Sequence, residues 1–101
     1  MIVIPVNESN YAAQTVSYTG TAGSVTGWTA GDPGLAVLVW CDTAAYIRVG
    51  DGVTATTSDT PLPANTPVVL AIPVSAVKFR VSAIQVATGG NLYAKPVSVK
   101  Q

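Results

Sequence analysis

The 101-residue chain has no histidine, one cysteine and only ten charged residues, five of each sign. Without histidine it lacks the commonest general base of enzymes, and a single cysteine excludes a disulfide framework or a cysteine-rich zinc site. Its formal net charge of zero leaves no basic excess to displace the counterions of a phosphate backbone. These absences argue against an enzyme, a structural zinc protein and a dedicated nucleic-acid binder.

Long hydrophobic runs are also missing. The longest apolar stretch, Leu35–Cys41, has the length of a strand and is far shorter than the ~20 residues of a membrane-spanning helix. The apolar start, residues 1–6, has no preceding basic region and is interrupted by Pro5, which is unlike a signal peptide. We therefore expect no membrane partner, synthesis in a cytoplasm, and a reduced Cys41 buried as a small core residue.

The scarcity of charge also bears on the surface. Charged residues make up 10% of the chain, whereas about a quarter is typical of soluble domains. Much of the surface must then be apolar, rich in Thr and Ser hydroxyls, or covered by a partner. The composition leaves these alternatives open.

What the chain has in abundance is β-branched residues: Val, Ile and Thr supply 33 of the 101. These side chains favour pleated strands, no window shows a helical stripe, and Pro and Gly recur at short intervals. The pattern predicts one all-β domain over residues 1–101, a β-sandwich or jelly-roll-like fold of about eight short strands. The predicted strands are 2–6, 14–19, 24–29, 35–41, 45–49, 67–73, 78–86 and 91–99. Residues 1–6 form either the first strand or an apolar arm that adds to a neighbour's sheet edge.

Local patterns add detail to these strands. Alternation places Arg48 on the face opposite Ile47, and Gly50-Asp51-Gly52 supplies a positive φ for a tight turn. After Ala83 the apolar phase changes, which predicts either a β-bulge or a strand that leaves one sheet for the other. The Gly-rich residues 89–91 are predicted to close the last hairpin.

No group of residues combines a nucleophile with a base. Asp42, Asp51 and Asp59 are the only candidates for a catalytic carboxylate pair, and Asp51 and Asp59 are better explained as turn residues. The acids are too widely spaced for a calcium loop, and the Gly-rich residues 19–24 lack the lysine of a phosphate-binding loop. We therefore predict no catalytic residue, no cofactor and no metal.

Contact with a partner is the remaining possibility. Trp40 and Phe79 lie within apolar strands and are assigned to the core, whereas Trp28 and Tyr46 are assigned to the surface as anchors of the kind that dominate interfaces. The Pro-rich residues 54–67 form either a crossover between sheets or a stiff loop docked on a neighbouring subunit. The candidate contact residues are Ile2, Ile4, Trp28, Tyr46, Leu62 and Tyr93.

Four segments carry a resemblance, in order along the chain. They read TAAYIRVGDG at 43–52, PLPANTP at 61–67, SAIQVA at 82–87 and GGNLY at 89–93. Together they resemble the small all-β structural proteins of tailed-bacteriophage virions, in particular capsid decoration (cement) proteins. The resemblance spans residues 35–99, contains no catalytic motif, and is weaker before residue 35.

The resemblance implies a virion structural protein on the outer capsid surface, made in the host cytoplasm. Such a protein would bind the major capsid protein and clamp neighbouring capsid subunits, as a trimer or another small homo-oligomer. Two alternatives stay open. One is a tail, baseplate or fibre component of the virion, and the other is a small carbohydrate-binding module that stacks sugars on Trp28, Tyr46 or Tyr93.

Overall fold

The computed structural model describes residues 2–5, 11–29, 35–72 and 77–100. The protein is all-β, and the described strands form two antiparallel sheets of five strands each, which confirms the predicted sandwich class. The strands are β1 (Ile2–Pro5), β2 (Gln14–Tyr18), β3 (Gly23–Ser24), β4 (Trp28–Thr29), β5 (Leu35–Cys41), β6 (Ala45–Gly50), β7 (Thr60–Leu62), β8 (Val68–Ala71), β9 (Lys78–Gln85) and β10 (Gly90–Lys100).

Sheet I has the strand order β1-β10-β5-β8, with β2 also paired to β10. The long strand β10 pairs with β5 along one side. On its other side it pairs with β2 at Gly90–Ala94 and with β1 from Val97 to Lys100. The gap between β1 and β2 lies opposite Lys95 and Pro96.

Sheet II has the order β3-β9-β6-β7, with β4 also paired to β9. The predicted continuous strand 24–29 is wrong, because it is divided into β3 and β4 around Gly27, whose φ is 95°. The Gln14 side chain holds this break: its amide donates to the Gly27 carbonyl at 3.0 Å and accepts from the Gly27 N–H at 2.7 Å. Since Gln14 belongs to β2, the two sheets are joined at this edge.

The hydrophobic core lies between the sheets. Cys41 and Phe79 are both buried in it, as predicted. Other members of this core include Tyr18, Val37, Val39 and Leu92 from sheet I and Trp28, Ile47 and Val81 from sheet II. Arg48 is exposed on the face opposite Ile47, and Gly52 has a φ of 64°, so both local predictions are confirmed.

The change of apolar phase after Ala83 lies within β9. The pairing of β9 with β6 continues without a bulge from Arg80 to Gln85, and Ile84 lies opposite Tyr46 on the outward face of sheet II. The chain crosses to sheet I only after β9 has ended, and there β10 pairs with β1, β2 and β5. The predicted bulge or change of sheet within the strand is therefore wrong, because the change of phase marks an apolar residue on the outward face. The predicted hairpin at residues 89–91 is wrong, since β10 does not pair with β9.

The Pro-rich residues 54–67 contain a strand that the sequence did not predict. β7 pairs antiparallel with β6, with Leu62 opposite Ala45 and Pro61 opposite Tyr46. Before β7, the Asp59 carboxylate closes a turn by accepting the Thr56 N–H at 2.7 Å. The segment therefore forms the edge of sheet II.

Candidate contact surfaces

Among the residues that the structure describes, no three His, Cys, Asp or Glu side chains are placed to hold a metal ion. The three candidate acids lie in separate turns. Asp42 accepts the backbone N–H of Asn91 at 2.7 Å and its side-chain amide at 3.0 Å. These two hydrogen bonds, the backbone one first, lower the pKa of Asp42. Asp59 holds its own turn, and Asp51 is exposed in the turn before Gly52.

Cys41 is a poor nucleophile in this environment. Burial raises the pKa of its thiol to about 11, opposed by a hydrogen bond with Tyr18. Because only the thiolate is strongly nucleophilic, the thiol is unreactive at neutral pH. Cys41 is therefore a packing residue.

Trp28 was predicted to be a surface anchor, and this is wrong: it is 5% exposed. Its ring packs against Phe79 with centroids 5.4 Å apart, and its indole N–H donates to the Ala12 carbonyl at 2.9 Å. The adjacent Gly27 suggested an exposed loop, but its positive φ turns the backbone so that the indole points into the core. A buried Trp with its N–H paired stabilises the fold and offers no surface for contact.

Leu62 is also unavailable to a partner, since it is 4% exposed. It lies in β7, where it faces the core on the same side of sheet II as Ala45. The neighbouring Pro61 is exposed on the opposite face. The segment thus presents its prolines outward and its one leucine inward.

Tyr93 lies on the outward face of sheet I, and its neighbour there is Trp40, which was wrongly assigned to the core. The two residues are direct cross-strand partners of β10 and β5. Their rings are stacked, with centroids 4.3 Å apart and planes within 16° of each other. Both side chains are half-buried. Trp40 is therefore a candidate contact residue that sequence reasoning missed.

The cleft beside this pair is mainly apolar, with Lys95 as its one charged residue. It is shallow, with a volume of about 210 Å³, and it is lined by Ala13, Leu38, Trp40, Tyr93, Ala94 and Lys95. The outward face of an antiparallel sheet normally alternates to polar residues where it meets water. Strand β5 does not alternate, because Ala36, Leu38 and Trp40 are its outward residues. The uninterrupted apolar run was the signal in the sequence that could have identified this face.

Tyr46 lies on the outward face of sheet II, half-buried and opposite Pro61 on one side and Ile84 on the other. Arg48, next along β6, is exposed, with its Nε 3.9 Å from an Asp59 oxygen. This face therefore combines apolar side chains with charged ones.

A second cleft, of about 290 Å³, lies where β4 and β9 meet the turn at Asp51. Two cations, Lys78 and Arg80, line it. Arg80 binds the loop: its Nε donates to the Val53 carbonyl at 2.9 Å and a terminal nitrogen donates to the Gly52 carbonyl at 3.3 Å. These bonds fix the loop to the strand. The cleft is a feature of loop packing.

The candidate contact residues do not converge on one site. Trp28 and Leu62 are in the core, while Tyr46 and Tyr93 lie on opposite outward faces of the sandwich. Ile2 and Ile4 belong to β1, which pairs with β10, and their side chains lie outside the described part of the structure. Sheet I, with Trp40 and Tyr93, carries the strongest candidate surface.

No helix in the described residues is long and apolar enough to cross a membrane. Comparison with known proteins finds no matching family model, no similar curated protein and no similar solved structure.

Proposed function

We propose that this protein is a virion structural protein that decorates and stabilises a phage capsid by clamping neighbouring subunits of the major capsid protein. The observation that carries the proposal is the apolar outward face of sheet I, formed by Leu38, Trp40 and Tyr93. Stacked aromatic residues on an apolar face are typical of protein interfaces. The resemblance over residues 35–99 supplies the class of partner.

A clamp of this kind stabilises the shell by linkage. It binds the assembled, expanded lattice and not its separated subunits, so its binding free energy adds to that of the lattice. No reactive group is needed for such a role, and the candidate acids Asp42 and Asp59 serve to hold turns. Many copies on one lattice add small contributions to a large total.

The decisive measurement is the number of copies per particle, by quantitative mass spectrometry of purified virions against the major capsid protein. A ratio near one, or a simple fraction of one, is expected for a lattice-wide protein. Particles stripped of the protein should also lose resistance to heat or osmotic shock and regain it when the protein is added back. A few copies per particle would instead assign it to the tail, baseplate or fibre, and the clamp would be abandoned.

Two tyrosines provide a matched pair for locating the contact. Tyr93 and Tyr46 are both half-buried, and they lie on opposite outward faces. We expect Tyr93→Ala to weaken rebinding to stripped particles and Tyr46→Ala to leave it nearly unchanged, with both variants folded by circular dichroism. The reverse result would place the capsid contact on sheet II.

The carbohydrate-binding alternative draws on the same aromatic pair, with less support. Sugars stack on exposed aromatic faces, but Trp40 and Tyr93 each use one face on the other. A glycan array with the wild-type protein tests it, with Trp40→Ala as the control. Binding that is lost in this variant would favour the alternative.

A further inference from the structure

The edges of the two sheets are protected unequally. A strand at a sheet edge exposes unpaired N–H and C=O groups, and natural proteins protect such edges with short strands, proline or polar residues. Among the described strands, β3, β4 and β7 are only two or three residues long. β1 contains Pro5, and β2 presents Thr15 and Ser17 outward. Five of the six edge segments therefore have a protective feature.

The sixth edge, β8, has none within the strand. It reads VVLA and pairs with β5 on one side, while no described strand pairs with its other side. The sequence has no charged residue between Asp59 and Lys78, and its nearest prolines, Pro67 and Pro73, lie outside the strand. An uncharged β-branched edge of this kind is a template for another strand.

The side chains of β8 are also incompletely covered. Val68 and Leu70 face inward and pack against the core, yet both remain half-buried, and none of the described strands lies beyond them. Val69 faces outward beside Leu38, and so the exposed edge continues into the apolar face of sheet I. An added strand would complete the burial on both sides of β8.

We propose that β8 pairs antiparallel with β8 of a second copy of this chain, about a two-fold axis, which joins two copies of sheet I into one continuous sheet. In a strand, alternate residues direct their backbone N–H and C=O groups to opposite sides, and so half of those in β8 face away from β5. An antiparallel pair of identical strands satisfies these groups reciprocally.

Electrostatics favours a second copy as the occupant. A charged partner strand would find no opposite charge on β8, whereas a second β8 brings no charge at all. The net charge of zero also means that two copies do not repel each other at long range. β8 of a second copy is therefore a partner strand whose lack of charge matches that of β8.

This inference concerns how copies of the chain join each other and does not depend on binding to a capsid. Its test uses the isolated protein, so either proposal can fail without the other. A two-fold contact yields dimers, which separates it from the trimer expected from the resemblance. The molar mass distinguishes the two.

Light scattering after size-exclusion chromatography, over a series of protein concentrations, is the first measurement. We expect a mass rising from 10.3 kDa to twice that value, with no trimer. Hydrogen exchange on the same samples should show that β8 amides facing away from β5 gain protection as the dimer forms. A monomer at every concentration, a trimer, or a dimer whose β8 amides stay unprotected would overturn the proposal.

Two lysine variants sharpen the test. Ala71 is exposed at the end of β8, so Ala71→Lys adds a charge to the edge without disturbing the core. We expect it to weaken dimerisation by about tenfold or more, because a lysine on a sheet edge opposes pairing with an uncharged, apolar strand. Val86→Lys is the control, since Val86 is 46% exposed and outside β8. A folded Ala71→Lys protein that still dimerises like wild type would refute the pairing.

Discussion

The two sheets share strand number, antiparallel pairing and one core, but their outward faces differ. On sheet II the chain covers its own sheet: residues 53–55 run over it, held by Arg80 on the Val53 carbonyl and by Ser82 on the Ala55 N–H. On sheet I, Trp40 and Tyr93 stay half-buried. The course of a loop, rather than the sheet beneath it, therefore decides how much of an outward face the chain itself covers.

The central strands of the two sheets reflect this difference. In β6 the residues alternate, with Ala45 and Ile47 buried and Arg48 exposed. In β5 the residues are apolar on both faces. Alternation is expected where one face of an antiparallel sheet meets water, and a continuous apolar strand is expected where both faces are covered. β5 therefore has the composition of a strand that is covered on both sides.

The largest expected effect is that of Trp28→Ala, which removes a buried ring from between the sheets. Loss of its packing against Phe79 should lower the free energy of unfolding by about 3–5 kcal/mol. Urea denaturation followed by circular dichroism measures the change. If Trp28→Ala lowers the free energy of unfolding by less than Trp40→Ala does, then Trp40 and not Trp28 is the core tryptophan.

Ser82→Ala tests how much the Ser82 hydroxyl, which with Arg80 binds residues 53–55 to sheet II, contributes to the free energy of unfolding. Ser82 is fully buried, and its oxygen accepts the buried Ala55 N–H at 2.8 Å and the Ser24 hydroxyl at 2.9 Å. Its removal leaves the Ala55 donor unpaired, which should cost about 1–3 kcal/mol of unfolding free energy.

The control for this prediction is Ser58→Ala, because Ser58 is exposed in the same loop region. It should change the unfolding free energy by less than about 0.5 kcal/mol. Equal stability of the two variants would mean that the loop is held by other contacts, such as those of Arg80.

Trp40→Ala should have a smaller effect on stability, because the ring is only half-buried. Loss of its stacking on Tyr93 should cost about 1 kcal/mol in urea denaturation. Rebinding to stripped particles should fall by more than this loss of stability explains. A destabilisation as large as that of Trp28→Ala would instead identify Trp40 as a core residue.

The smallest expected effect is the pH dependence due to Asp42, which joins the start of β10 to the end of β5. Its pKa is lower in the folded protein than in the unfolded chain because Asn91 donates two hydrogen bonds to the carboxylate. The carboxylate therefore stabilises the fold at neutral pH, and this contribution is lost as the pH falls below about 4.

Thermal unfolding across this range, compared between wild type and Asp42→Asn, measures the effect. The difference in melting temperature should be largest near neutrality and shrink in acid. Asn91→Ala, which removes one of the two donors, should behave in an intermediate way. A constant difference at all pH values would contradict the assigned role of the carboxylate.

Much of the fold could be predicted from local pattern. Three such predictions are confirmed. They are the all-β fold predicted from the β-branched composition, the exposure of Arg48 on the face opposite Ile47, and the positive φ in the turn at Gly52. Each depends on the period of two along a strand or on the steric freedom of one residue. Both properties depend only on residues that lie within a few positions of one another in the sequence.

The candidate surface was predicted less well, and the two tryptophans show why. Trp40 lies in an apolar run, and Trp28 follows a glycine, so neighbouring residues favoured the wrong one for the core. The position of Trp28 depends on the preceding Gly27, which is held by hydrogen bonds to Gln14, thirteen residues before Gly27. The position of Trp40 depends on which face of β5 meets the second sheet, and no local pattern specifies this.

By itself, the sequence determined that this protein is an all-β sandwich with few charges and a buried, unreactive cysteine. These properties follow from composition and from the spacing of side chains along each strand. Three features came from the tertiary fold alone: β9 and β10 belong to different sheets, Trp40 stacks on Tyr93, and β8 ends the order of described strands in sheet I. The physical reason is that strand pairing joins residues far apart in the chain, and the choice of partner strand sets which face is buried.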